Sequence, residues 1–327
     1  MMDANNSTIA LVEPDQAELS TMAVEPSETF VVTPRIERVT RRAMAYLDAG
    51  YPVHLSGPPG TGKTTLALHL AALRGHPVTL LHGDDEFSAS DLVGTDHGFR
   101  RSTLVDNYVR SVVKTEETVN RLWTDNQLTA ACKNGDTLVY DEFTRSRAEA
   151  NNALLSVLEE GLLSLPRSRT HRDGYMEVDP RFRAILTSNP EEYAGVHGTQ
   201  DALLDRLITI RVEYPDRDTE VRICAAKSGM SLEDSARIID IVRTLRELGS
   251  LQQRPSLRAG IMIATVARRE GARPTRGDAL FEELCMDILG SLMLKGGGCV
   301  DAQWLGELIE EHTDPTPNLH PTLQPED

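Results

Sequence analysis

Gly57-Pro58-Pro59-Gly60-Thr61-Gly62-Lys63-Thr64 constrains this chain more than any other stretch, because it meets every fixed position of the pattern G-x-x-x-x-G-K-[ST]. Glycines allow successive backbone N–H groups to turn inward, and the resulting nest accommodates phosphate oxygens. A helix starting near Lys63 adds the positive end of its dipole to the same cavity. There Lys63 can place a mobile positive charge on the β and γ phosphates of ATP, while the Thr64 hydroxyl ligates the Mg2+ that bridges them. The flanks agree. Pro52-Val53-His54-Leu55-Ser56 reads as a strand entering the loop, and Thr65 to Leu73 as a helix leaving it. Residues 57–65 are therefore the expected nucleotide-binding segment.

The chain has 327 residues, 40% of them hydrophobic, enough for one large domain or two smaller ones. Its longest apolar run, Ile261 to Ala267, is far too short to span a bilayer, and no basic-then-apolar segment opens the chain. A cytoplasmic protein without a membrane partner is expected. Cys132, Cys224, Cys285 and Cys299 form no C-x-x-C pair, which argues against a disulfide framework or a zinc site. A net charge of -16 disfavours a surface that grips nucleic-acid backbone, so proteins are the expected partners.

Residues 1–28 are polar and acidic without periodicity and read as a flexible arm; the Pro-rich acidic tail, 313–327, reads the same way. Between them, residues 29–213 alternate helical stretches with short β-rich runs: Pro52 to Leu55, Val78 to His82, Thr137 to Tyr140, Phe182 to Thr187 and Ile208 to Val212. That alternation predicts an α/β fold, a mainly parallel sheet flanked by helices. In residues 214–312 helical periodicity takes over, with capping signals at Ser231-Leu232-Glu233-Asp234 and Ser256 and a stop at Gly271. A small all-helical domain is expected there.

Thr137-Leu138-Val139-Tyr140-Asp141-Glu142 is an apolar strand ending in two carboxylates, and it is expected to emerge beside the phosphate loop. Asp141 suits the Mg2+ site. Glu142 faces differently and can take the proton from a water attacking the γ phosphate. A capping box at Ser146-Arg147-Ala148-Glu149 opens a helix that stops at Gly161. Leu162 to Leu165 and Tyr175 to Val178 can then pair across a tip containing Arg167, Arg169, His171 and Arg172, which is either a solvated basic loop or a site for an acidic partner. Asn189 ends a further strand, where its amide can hold the attacking water or a γ oxygen, or simply form an Asn-Pro turn.

The succession of phosphate loop, Tyr140-Asp141-Glu142, Thr187-Ser188-Asn189-Pro190, Asp201-Ala202-Leu203-Leu204-Asp205-Arg206 and Arg254-Pro255-Ser256-Leu257-Arg258-Ala259 resembles the AAA+ ATPases of the MoxR type. Within that type it is similar to the branch that serves gas vesicles. The resemblance implies an AAA+ P-loop core followed by a small all-α lid, ATP and Mg2+ as cofactors, and a homo-oligomeric ring, a hexamer. It makes Asn189 the sensor-1 residue, Arg206 the arginine finger offered to the neighbouring subunit, and Arg258 the sensor-2 residue of the lid. Asp84 to Gly94 is similar to the helix-2 insert directed at the ring pore, which implies that Leu92 and Val93 touch the client. The usual Asp-Arg-Phe is here Asp205-Arg206-Leu207.

The function implied is an assembly chaperone acting on gas vesicle shell or coat proteins. Other classes are a chaperone for a von Willebrand-type partner, a nucleotide-dependent scaffold, and a DNA-associated regulator. The last lacks a Gly-Ala-Phe-Thr-Gly-Ala loop between Asp84 and Leu104, and the acidic tail holds no helix-turn-helix module.

Overall fold

A computed structural model describes residues 21–27, 29–106, 114–165, 174–189, 201–247, 254–295 and 302–313. Along the chain come β1 (Thr21–Met22), α1 (Pro34–Asp48), β2 (Val53–Ser56), α2 (Lys63–Arg74), β3 (Val78–His82) and α3 (Ala89–Val93). A hairpin of β4 (Gly94–Asp106) and β5 (Lys114–Asp125) follows, then α4 (Gln127–Asn134), β6 (Thr137–Asp141), α5 (Ala148–Glu159), β7 (Leu162–Ser164) and β8 (Tyr175–Glu177). Next are β9 (Arg183–Ser188), α6 (Asp201–Leu204), β10 (Ile208–Arg211), α7 (Arg217–Ser228), α8 (Leu232–Glu247), α9 (Leu257–Glu270), α10 (Ala279–Lys295) and α11 (Ala302–Thr313).

The five expected β-rich runs become β2, β3, β6, β9 and β10, pairing in parallel in the order β3-β6-β9-β2-β10. Every residue of β6 is buried, as a central parallel strand requires when both its faces are covered. β9 lies between β2 and β6, and the acid-bearing end of β6 still emerges beside the phosphate loop as expected, with Asp141 Oδ1 accepting from Thr64 Oγ1 at 2.7 Å. The chain clusters into two compact units, one of Met1–Glu25, Thr40–Ser56 and Thr64–Arg211, the other of Pro26–Val39, Gly57–Lys63 and Val212–Asp327.

Three expectations need correction, and one ribbon was unforeseen. Thr21–Met22 of the supposed arm forms β1, antiparallel to β3. The β4–β5 ribbon, paired from Gly94↔Asp125 to Asp106↔Lys114 with a register shift between Asp96 and Phe99, was not anticipated at all. Leu92 and Val93 are buried in the core with Leu128, Leu138 and Leu154, so they cannot present themselves to a client. Ser146 does not cap α5; Arg147 occupies that position, because the Ser146 hydroxyl accepts from Tyr140 Oη at 2.7 Å and from the Asp84 amide at 3.0 Å. The β7–β8 pair forms as expected, but its basic tip lies outside the described residues.

In the second unit, α7 to α11 enclose a core that includes Val221, Ile238, Val242, Ile263, Phe281 and Leu305. Ser231 and Ser256 cap as expected, and Gly271 ends α9 with a φ of 77°. Glu220 is fully buried, and Arg243 and Arg246 meet it at 2.9 Å and 2.7 Å; a buried carboxylate needs such partners. Among the described residues no helix is long and apolar enough to cross a membrane.

Candidate nucleotide site

The loop between β2 and α2 takes the shape that its glycines permit. Gly60 and Gly62 have φ of 74° and 85°, values that residues with a Cβ rarely adopt. Gly60 is doubly constrained, since a Cβ there would come within 2.2 Å of the Ser256 Cβ at the start of α9. Lys63 is buried and donates through Nζ to the carbonyl oxygens of Gly57 and Pro58, both at 2.8 Å. Thr61 Oγ1 donates to Pro58 O at 3.0 Å, and Tyr214 Oη to Pro59 O at 3.4 Å. Thr65 is exposed in the first turn of α2.

Two strand ends and the start of α2 bring oxygens together. Thr64 Oγ1 donates to Asp141 Oδ1 at 2.7 Å, and Thr187 Oγ1 donates to the same oxygen at 2.5 Å. The Glu142 amide donates to Thr187 Oγ1 at 2.9 Å. Glu142 itself has φ 52° and ψ 40°, a left-handed conformation that costs a non-glycine residue on the order of 1 kcal/mol or more and is often found at functional sites. Its carboxylate takes a hydrogen bond from Arg145 Nη1 at 2.9 Å, and His82 Nδ1 lies 3.7 Å from Asp141 Oδ2. Asn189 is buried one residue past the end of β9.

His54, on β2, is buried and spans three strands. Its Nε2 lies 2.8 Å from Ser188 Oγ on β9 and its Nδ1 3.0 Å from Thr209 Oγ1 on β10, with the Phe143 ring edge-on at 5.4 Å. Burial pushes its pKa down to about 4, so the ring stays neutral near pH 7.

Two of the expected site arginines are placed less directly. Arg206 lies just after α6, where Nε donates to Glu159 Oε2 at 2.6 Å and Nη1 to Ala202 O at 2.6 Å. Arg258 is exposed in the first turn of α9, whose cap Ser256 accepts from the Arg258 amide. Sequence reasoning missed Thr187, His54, Arg145 and Glu159. Thr187 and His54 both stand in runs read as strands, but nothing in those runs marks either as a site residue.

A hydroxyl and a carboxylate, both hard oxygen donors, meet at Asp141, and no group of three or more His, Cys, Asp or Glu side chains converges among the described residues. That donor set fits Mg2+, which takes one or two protein oxygens and completes its shell with phosphate and water. A lysine-bearing phosphate loop opening a helix, and acids at the carboxyl ends of a parallel sheet, define an ATPase of the AAA class.

Comparison with known proteins agrees. Residues 52–207 match the model of the AAA domain, dynein-related subfamily. The chain is 49% identical over 293 residues to the gas vesicle ATPase GvpN of Ancylobacter aquaticus, covering 90% of this chain and 82% of that protein. It is 43% identical over 293 residues to gas vesicle ATPase GvpN1 of Halobacterium salinarum, covering 89% and 82%. A mutant form of RuvB from Thermotoga maritima shares the fold at a TM-score of 0.50, with 15% identity over 85% of this chain and 82% of that one. The chain belongs to the GvpN family of gas vesicle ATPases.

Proposed function

We propose that this chain assembles into a ring, a hexamer, and spends ATP hydrolysis on remodelling gas vesicle shell or coat proteins as vesicles form or enlarge. The meeting of Thr64, Thr187 and Asp141 at one carboxylate oxygen, in a chain this similar to gas vesicle ATPases, supports the reading most directly.

In this reading Gly57 to Thr65 wraps the phosphates, and Lys63 exchanges its loop carbonyls for the β and γ oxygens. Thr64 and Asp141 would hold Mg2+, which supplies charge neutralisation on the phosphates. Glu142 takes a proton from the attacking water, and Asn189 orients that water or a γ oxygen. Arg258 senses nucleotide from the lid. Arg206 serves a neighbouring subunit's site. Within one chain it pairs with Glu159, and both side chains are partly exposed, at 31% and 55%. Such a pair contributes only about 0–1 kcal/mol, so the dense charge of a nucleotide can displace Glu159.

The test is cellular. In a host that makes vesicles with this chain, Lys63→Ala and Glu142→Gln are expected to leave few, small or weak vesicles, scored by electron microscopy and flotation. Vesicles of normal number and size in both variants would refute the vesicle assignment.

A further inference from the structure

We propose that Thr187 is the positioning residue that sets both strand-end acids at once, holding Asp141 for the metal and Glu142 for the water. The inference rests on the roles proposed above for those two acids and adds a residue that links them.

The strand order makes the link possible. β9 pairs with β6 on one side and with β2 on the other, so its end lies between the acids and the strand that feeds the phosphate loop. Tyr140 pairs with Leu186 in register, which puts Thr187 alongside Asp141. Thr187 is fully buried, so solvent does not compete for its hydroxyl.

The chemistry of one hydroxyl then couples two functions. A threonine Oγ1 has a single proton to give and lone pairs to accept with. The proton goes to Asp141 Oδ1 at 2.5 Å, and a lone pair takes the Glu142 amide at 2.9 Å. Since the Asp141 oxygen accepts from Thr64 as well, that carboxylate is fixed from the loop side and from the β9 side together. The amide bond acts where the backbone turns into the left-handed conformation of Glu142, φ 52°. It ties down the residue whose side chain must find the water. The strand itself does not require a hydroxyl at this point: a valine has the same shape and suits a buried strand equally well. The hydroxyl is there for the two acids.

The experiment compares Thr187→Val, which keeps the shape and removes the hydroxyl, with Thr187→Ser, which keeps the hydroxyl. Three quantities are measured on purified full-length protein: kcat, KM for ATP, and the Mg2+ concentration that half-saturates binding of a fluorescent ATP analogue. Thr187→Val is expected to lower kcat about 10- to 100-fold and to raise the Mg2+ requirement, the range seen when a ligand's outer partner is lost, with KM changed far less. Thr187→Ser is expected to keep wild-type values. In a Glu142→Gln background, Thr187→Val should cost little further kcat, because the two act as a unit, yet should still raise the Mg2+ requirement. If Thr187→Val does not fold, Thr187→Ala asks the same question. Wild-type kcat and Mg2+ requirement in a folded Val or Ala variant overturn the inference, as does equal impairment of the Ser and Val variants. Failure of the underlying reading looks different: Glu142→Gln alone would then turn over normally.

Discussion

A buried histidine, His54, gives this protein a pH signature of its own. His54 has a folded pKa of about 4 against 6.5 when unfolded, because burial disfavours its charged form. The unfolded chain therefore binds this proton more readily. The contribution is fully present above pH 6.5 and is lost as pH falls from 6.5 through about 4. At about 1.36 kcal/mol per unit the loss approaches about 3 kcal/mol. Urea midpoints between about pH 7 and 4 check this: the wild type should lose more stability over that window than His54→Gln, which cannot titrate. Equal slopes would show that another group governs the acid limb. Both ring nitrogens face hydroxyls, Ser188 and Thr209, so the neutral ring is satisfied without a charge partner.

At the scale of elements, what could be read from the sequence divides along physical lines. The phosphate loop was legible because phosphate chemistry dictates residue types at set spacing, and the parallel strands were legible because burial on both faces makes them apolar runs. The β4–β5 ribbon was not. Its first strand carries only Phe99, Leu104 and Val105 as large apolar residues, at positions that share no regular alternation, so no face announces itself. Thr187 and His54 were illegible for a different reason: an ordinary strand residue acquires its role only once strand order sets β9 between β6 and β2. The same divide separates two mutations. Leu92 has no exposure, so Leu92→Ala should cost about 2–5 kcal/mol in stability, read from urea unfolding. The ribbon is a separate two-stranded sheet, and cutting out residues 97–122 with an Asn-Gly turn keeps the pairs from Gly94↔Asp125 to Asp96↔Trp123. That variant should retain basal ATPase activity and lose vesicle output, if the ribbon and not Leu92 or Val93 meets the client. Loss of basal activity in a folded variant would place the ribbon's role in the nucleotide cycle.

For the whole molecule, the decisive question is whether one chain's nucleotide is completed by another chain. In the reading proposed above, Arg206 held by Glu159 is withheld from its own chain's nucleotide, and an arginine supplied across an interface is worth about 10³-fold or more in turnover. Arg206→Ala alone should thus be nearly inactive while still binding ATP, and Lys63→Ala should fail to bind it. Mixing the two restores what each lacks. Where an Arg206→Ala chain contributes the intact loop and a Lys63→Ala neighbour contributes the intact arginine, the interface is complete. Random assembly of a closed ring from equal amounts makes about a quarter of interfaces of this kind. Steady-state ATPase of the mixture should accordingly recover to a fraction near that value, peak at equal amounts, and fall on dilution as rings dissociate. A mixture no more active than its components at any ratio, beside wild-type activity per chain that ignores concentration, would mean that Arg206 serves its own chain, and Glu159 would then be its permanent partner and not a placeholder.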